Sequence, residues 1–201
     1  MLQTKTVPNE IRTVKKGEQV RLVTWLTKGW DDKKVFTVNL DGEGASFIWF
    51  IFVFGSGKEK FSFDLHVNHH AKKTKSRIYA RSVLRENAAV EFNGVSRIDE
   101  HAKKSDAYCS FHTLLLSPDA RAQTIPSLEI LTEDVVAGHA ASVDRFLPGD
   151  LFYLETRGLQ PEESYALLTK SFFGADLVHL SEEALRTALT KKITAITASF
   201  T

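Results

Sequence analysis

A single cysteine, Cys109, stands in 201 residues, with one methionine and five prolines. One thiol cannot close a disulfide within the chain. Nor can it supply a zinc site built on several thiolates or a four-thiolate iron–sulfur site. A dominant charge is also missing: 26 Lys and Arg face 25 Asp and Glu, for a formal net charge of +1. That balance argues against wholesale attraction to nucleic acid or to an anionic membrane. Long apolar runs are absent as well. The most apolar stretch, Phe47-Ile48-Trp49-Phe50-Ile51-Phe52-Val53-Phe54, falls far short of the ~20 residues that a spanning helix needs. The opening residues, MLQTKTVPNEIRTVKKGEQ, are polar and lack the apolar centre of a signal peptide, so a cytoplasmic protein is expected.

What is present suits a globular domain. Hydrophobic residues make up 43% and charged residues 25%, and the length allows a real core. The charge divides unevenly along the chain. Residues 1–110 hold 19 basic and 13 acidic side chains, a balance of +6; residues 111–201 hold 7 and 12, a balance of −5. A solvated basic face and an acidic half offered to a basic partner both fit that division.

From about Gly17 to Val143 the chain has strand character. The run 47–54 suits a strand buried on both faces. In Phe61-Ser62-Phe63-Asp64-Leu65-His66-Val67 the apolar residues alternate, which places His66 on the opposite face. Short apolar groups follow at 77–84, 89–92, 95–98, 108–116 and 128–131. Asp41-Gly42, Asn68, Asn87, Asn93-Gly94, Ser117-Pro118-Asp119 and Pro126 punctuate them as turn signals. The pattern predicts an all-β core and leaves sandwich, barrel and β-helix open, because no repeat of fixed period is visible. At Pro148-Gly149-Asp150 the periodicity changes. Three short helices are predicted: one over 151–157 capped by Asp150 and ended by Gly158, one from Pro161, and one after Ser181. The second has its apolar stripe at Tyr165, Leu168 and Phe172; the third has Leu185, Leu189, Ile193 and Ile196. The organisation read from this is a polar tail over 1–16, a β core over 17–147 and a helical domain over 148–201.

Few residues carry recognisable chemistry. Gly55-Ser56-Gly57-Lys58 lacks the other elements of a phosphate loop, since Phe52 and Glu59 occupy the positions of the first glycine and the Ser/Thr. It reads as a hairpin turn, and no nucleotide is expected to bind this chain. His66, His69 and His70 cluster in sequence, but on a strand His66 and His70 share one face and His69 points away. A metal site there would need His112 or His139 from elsewhere.

One longer pattern is more specific. Leu114-Leu115-Leu116-Ser117-Pro118-Asp119-Ala120 is followed by Ile125-Pro126-Ser127-Leu128-Glu129-Ile130. Then come Asp134-Val135-Val136-Ala137-Gly138-His139-Ala140-Ala141-Ser142-Val143 and Leu151-Phe152-Tyr153-Leu154-Glu155-Thr156-Arg157-Gly158, with Phe172-Phe173 closing the series. In order and spacing, the stretch from about His70 to Phe173 resembles the SufB/SufD family (SufBD) of iron–sulfur cluster assembly proteins. The resemblance implies a mainly β fold, a right-handed parallel β-helix core followed by a small C-terminal α-helical domain. It implies a non-enzymatic, cytoplasmic scaffold that pairs through its β-helix, as a homodimer or with a second SufB/SufD-like chain. It also implies docking of a SufC-like ABC-type ATPase through the C-terminal helices, with no nucleic acid or membrane as partner.

His139 matches the family histidine near the core–core interface. The cysteine of cluster-building members falls at Phe111, and the thiol often found two residues before the histidine is replaced by Ala137. Cys109 lies on the same strand face as Phe111, so His139 and Cys109 are the candidate ligands of an iron–sulfur cluster shared between subunits. Phe152, Tyr153, Arg157 and Phe173 are the candidate partner-binding residues. Typical members are longer, the difference being N-terminal, and the apolar run 47–54 is the candidate cover for the exposed end. Two other readings differ in kind: an architectural subunit of the same fold without cluster binding, and a β-barrel enzyme with a metal on His66, His70 and His112.

Overall fold

The computed structural model describes residues 2–3 and 10–200; residues 1, 4–9 and 201 lie outside the described residues. The described residues form eleven strands. β1 (Leu2–Gln3), β3 (Gln19–Leu26), β5 (Ser46–Gly55), β7 (Lys75–Leu84), β9 (Asp106–Leu115) and β11 (Val136–Asp144) lie side by side in one sheet. β2 (Glu10–Val14), β4 (Lys34–Leu40), β6 (Lys60–His69), β8 (Ala89–Ile98) and β10 (Arg121–Ile130) form the other. Consecutive strands alternate between the sheets, and the ladders within each are parallel. Two strands therefore make one turn, and the chain coils through about five turns of a parallel β-solenoid. The expected β-helix is present, and the sandwich and barrel alternatives fall.

The repeat is real but uneven. Gln19 faces Ser46, Ser46 faces Lys75 and Lys75 faces Asp106, which gives steps of 27, 29 and 31 residues. Inward side chains fill the space between the sheets. β6 buries Phe61, Phe63, Leu65 and Val67 and leaves Asp64 and His66 half-exposed, as its alternation predicts. Phe63, Phe92 and Phe111 stack across successive turns and across the core, with centroids 4.6 and 5.2 Å apart. The run 47–54 lies in β5, third in the six-stranded sheet, with Phe47, Trp49, Ile51 and Val53 inward and Phe50, Phe52 and Phe54 buried on the other face. It is an interior strand and does not cover an end.

Four turn signals prove to be something else. Asn93-Gly94 sits inside β8, where Gly94 makes room for Phe111: a Cβ there would lie 2.6 Å from the ring. Asn68 stays within β6 because its amide donates to Asn39 of the preceding turn at 2.9 Å. Pro126 lies in β10, at the border of its sheet, where a missing N–H is tolerated. Gly55–Lys58 is a solenoid corner that joins strands of different sheets, not a hairpin. Of the segment read as a tail, Glu10–Val14 forms β2 and pairs with β4. Only Val14 of β2 is fully buried, and Glu10 and Arg12 lie 3.7 Å apart on its inward side, which hides the strand from an apolar pattern.

The corners after the even strands recur turn by turn. Gly17, Gly44, Lys73 and Lys104 all have positive φ, between 57° and 74°. Each donates its N–H to a carbonyl of the following turn: Glu43, Lys72, Lys103 and Asp134. Gly42 meets a different constraint. A Cβ there would fall 1.9 Å from the Lys16 nitrogen and 2.3 Å from its Cα. Backbone cannot rotate away, so Gly42→Ala is expected to cost about 2–3 kcal/mol in urea unfolding. A loss below about 0.5 kcal/mol would show that the two corners separate easily.

The described residues fall into two compact units, one ending at Val143 and the other beginning at Asp144. The second contains α1 (Pro148–Thr156), α2 (Pro161–Gly174) and α3 (Glu183–Thr197). Prolines open α1 and α2, where no N–H is missed, and the third-position acids Asp150 and Glu163 accept from the Leu147 and Gln160 amides. Asp150 therefore lies inside α1, not at its cap, and Gly158 ends it at φ 94°. α2 buries Ala166, Thr169 and Phe173, leaving Tyr165, Leu168 and Phe172 half-buried. α3 buries Leu189, Ile193 and Thr197. Among the described residues, no helix is long and apolar enough to cross a membrane.

Candidate functional site

The last turn differs from those before it. β10 and β11 are each the terminal strand of their sheet. In β6 to β9 the inward side chains are buried, whereas β10 and β11 contain no fully buried residue. Ile125, Ile130, Leu131, Val136 and Val143 are each more than 40% exposed. Backbone groups on one side of each strand are thus left at one end of the solenoid, with Ile130 above the buried Ile98, while Ile125 and Val136 continue the outward positions of Asn93 and Asp106.

His139 stands in this turn. Val136 donates to the Ser105 carbonyl, as Asp106 does to Thr74 one turn earlier, and His112 Nδ1 lies 2.9 Å from Ser142 Oγ. Carried along β11, this 30-residue step sets His139 opposite Cys109. Ala137, two residues earlier on the same face, packs on Ile98, Ala102 and Ala107. His139 is exposed and Cys109 is 2% exposed, one turn deeper, about 4.8 Å in strand spacing. Burial pushes the Cys109 thiol up to about 11, against a smaller pull from the Ser96 hydroxyl, so at neutral pH it is protonated. Phe111, the position matched to the cluster-building cysteine, is 1% exposed and filled by its ring.

The other histidines are dispersed. His66 lies on the outer face of β6, 3.2 Å from Asp64; His70 is at a corner, 2.7 Å from Asp41; His112 is on the outer face of β9 in the other sheet. Among the described residues, no three His, Cys, Asp or Glu side chains gather to hold a metal ion.

The sequence gives no direct signal of His69's role. It is fully buried, with Nδ1 2.7 Å from Thr74 Oγ1 and Nε2 2.8 Å from Ser76 Oγ, and Thr74 Oγ1 lies 2.7 Å from Ser105 Oγ in the next turn. Burial is the main reason its pKa falls to about 4. Only the register reveals that these hydroxyls face one another across turns.

In the helical unit, α1 has no buried residue. Leu147, Phe152 and Tyr153 are 66%, 68% and 56% exposed, and the Arg157 guanidinium lies over the Tyr153 ring at 5.2 Å. Phe173 is fully buried in α2, so it holds the helices together and presents no surface of its own.

These features define a two-sheet parallel β-solenoid with an open last turn, followed by a compact helical unit. Residues 4–172 match the family model for the SufBD core domain of the SUF system of FeS cluster assembly. The chain belongs to that family. It is 34% identical over 157 residues to the iron–sulfur cluster assembly protein SufD of Bacillus subtilis (strain 168), covering 78% of this chain and 36% of that protein. With SufD of Escherichia coli (strain K12) it shares 27% over 127 residues, 63% of this chain and 30% of the relative. A SufBD family protein of Mycobacterium leprae (strain TN) is 32% identical over 104 residues, 12% of its length. The chain thus spans about a third of the length of these SufD relatives.

Proposed function

We propose that this chain is a non-enzymatic, cytoplasmic scaffold subunit of iron–sulfur cluster assembly, completed by a second SufB/SufD-like chain, or a second copy, at its open last turn. The observation that carries this is the juxtaposition of two open strands with His139 stacked over Cys109. Two donors fall short of the four in a closed site, so the remaining ligands of a cluster assembled here come from the other chain. Pairing also covers the inward apolar side chains of β10 and β11. The exposed Leu147, Phe152 and Tyr153 of α1 serve as the docking surface for an ABC-type ATPase, and no nucleotide binds this chain.

Anaerobic reconstitution with iron and sulfide, read by visible absorbance, tests the cluster role. Wild type paired with a SufB-like chain is expected to form the chromophore, and His139→Ala to lose most of it. An unchanged spectrum in His139→Ala defeats the assignment. Phe152→Glu combined with Tyr153→Glu is expected to abolish co-purification with the ATPase while leaving the melting temperature unchanged.

A second reading, an architectural subunit without cluster binding, draws on the buried, protonated state of Cys109 and on Phe111 filling the cysteine position. It expects no chromophore in any pairing, with ATPase binding intact.

A further inference from the structure

The two ends of the solenoid present different surfaces. At the last turn, the inward positions of β10 and β11 hold no Asp, Glu, Lys or Arg, and Ile130 and Val143 there are 44% and 43% exposed. At the other end, β2 is the terminal strand of its sheet and pairs on one side only, with β4. The register sets Glu10 over Phe36, Arg12 over Val38 and Val14 over Leu40. Below them these columns continue into Leu65, Val67 and His69 of β6, and all six residues beneath β2 are at most 3% exposed.

Two charged residues thus head columns of the core. Glu10 and Arg12 lie 3.7 Å apart, their side chains each 35% exposed. Their aliphatic stems stand over Phe36 and Val38 while their heads reach water, as long charged side chains do at the border of an apolar surface. An exposed pair of this kind contributes little to folding, and β-branched apolar residues suit a strand better. What the pair changes is the end surface. A further strand stacked on β2 would bury both charges against the core columns, and taking two ions out of water offsets or exceeds their attraction. Inward-pointing charge is one device by which an open sheet edge refuses another strand; shortness is a second. β1, the terminal strand of the other sheet at this end, has two residues. Ile11 is 77% exposed but lies on the outward face of β2, off the end surface.

We infer that β2 is a stop: its Glu10–Arg12 pair keeps a second copy of this chain from stacking on this end, so that association through the last turn ends at two chains. Were both ends to accept strands, copies would join head to tail, and an interface that does not close on itself grows into a fibre. With one end barred, last turn against last turn remains, and that contact closes. The stop rests on β2 alone; its consequence of two chains rests on the pairing proposed above.

Sedimentation velocity of the full chain over a range of concentrations tests the stop. Glu10→Val with Arg12→Ile is expected to raise the average mass about twofold or more over wild type, without a plateau. Glu10→Gln with Arg12→Met removes the same charges at nearly constant volume and is expected to shift the mass in the same direction, should the first variant not fold by circular dichroism. Thr13→Val adds an apolar side chain to the outward face of the same strand and is expected to leave the mass unchanged. Ala141→Lys, at an exposed position on the face of β11 that holds His139, separates the stop from the pairing. In that background, unaltered β2 is expected to give single chains, and Glu10→Val with Arg12→Ile to give pairs formed through the first turn. A wild-type mass of one chain defeats pairing through the last turn and leaves the stop to be decided by the gain in mass when the charges are removed. Species longer than two chains in wild type, no gain in mass in either uncharged variant, or an equal gain in Thr13→Val would overturn the inference.

Discussion

Trp49→Ala is expected to lower the stability of the solenoid by about 3–5 kcal/mol, enough to remove a large share of what a domain of this kind possesses. Trp49 is 1% exposed and is among the largest fully buried side chains. Its ring lies 4.5 Å from Phe36 across the core and 6.2 Å from Phe47 beside it, and its indole N–H donates to Thr24 Oγ1 at 2.9 Å. Alanine removes the ring's contacts, leaves a cavity bounded by strands that cannot collapse independently, and takes the donor from a hydroxyl that is itself fully buried. Trp49→Phe separates these effects, since it keeps most of the apolar contact and loses the hydrogen bond, and about 1–2 kcal/mol is expected for it. Guanidinium unfolding followed by far-UV circular dichroism measures both. A loss below about 1 kcal/mol in Trp49→Ala would mean that the centre of the solenoid is packed far less tightly than its burial indicates.

Acid is expected to destabilise the same unit through His69. The folded chain holds this imidazole at about 4, below the ordinary 6.5, because it is buried, and the nearby Asp106 offsets burial only in part. As pH falls from 6.5 toward 4, the unfolded chain takes up this proton and the folded chain does not. Stability fully present above 6.5 is therefore lost through that window, by roughly 3 kcal/mol in all. Carboxylates titrate in part of the same range, so the informative quantity is the difference between wild type and His69→Gln. The variant is expected to be less stable near neutrality, having lost contacts to Thr74 and Ser76, and its stability should fall less steeply between pH 6.5 and 4. Parallel curves for the two proteins would show that His69 is protonated as readily in the folded chain as in the unfolded one.

Much of the strand content is legible because burial and alternation coincide. β6 displays its alternation openly, and β5 reads as buried on both faces because it is. Coiling is not legible from periodicity. Each corner takes as many residues as it needs, so the step drifts from 27 to 31 and no fixed repeat emerges. Local turn chemistry misleads where tertiary contacts decide: Gly94 is in a strand because Phe111 occupies its Cβ space, and Asn68 because Asn39 receives its amide. β2 is hidden by Glu10 and Arg12. In the helical unit Pro161 marks the start of α2 correctly, whereas α1 begins at Pro148, ahead of the start read from Asp150, and the apolar stripe of α2 is displaced from its most buried side, where Ala166 and Thr169 pack closely. At the candidate site, the family pattern singles out His139 and puts its cysteine at Phe111; Cys109 enters as the thiol two residues away on the same strand face, and the placement of His139 and Cys109 on consecutive turns emerges only from the register. Phe173 is conspicuous in the same motif yet fully buried, because a helical motif records packing as readily as contact.

The uneven step also says where this architecture accommodates insertions and deletions. The ladders remain in phase although neighbouring turns differ in length, because the extra residues are taken up outside the strands. The corner after β6 spans 70–74, and the one after β8 spans 99–105. One residue gained or lost at such a corner leaves both sheets aligned. The same change inside a strand would send every following side chain to the opposite face, turning core to solvent. Change in chain length is thus confined to the corners, while the strands keep count.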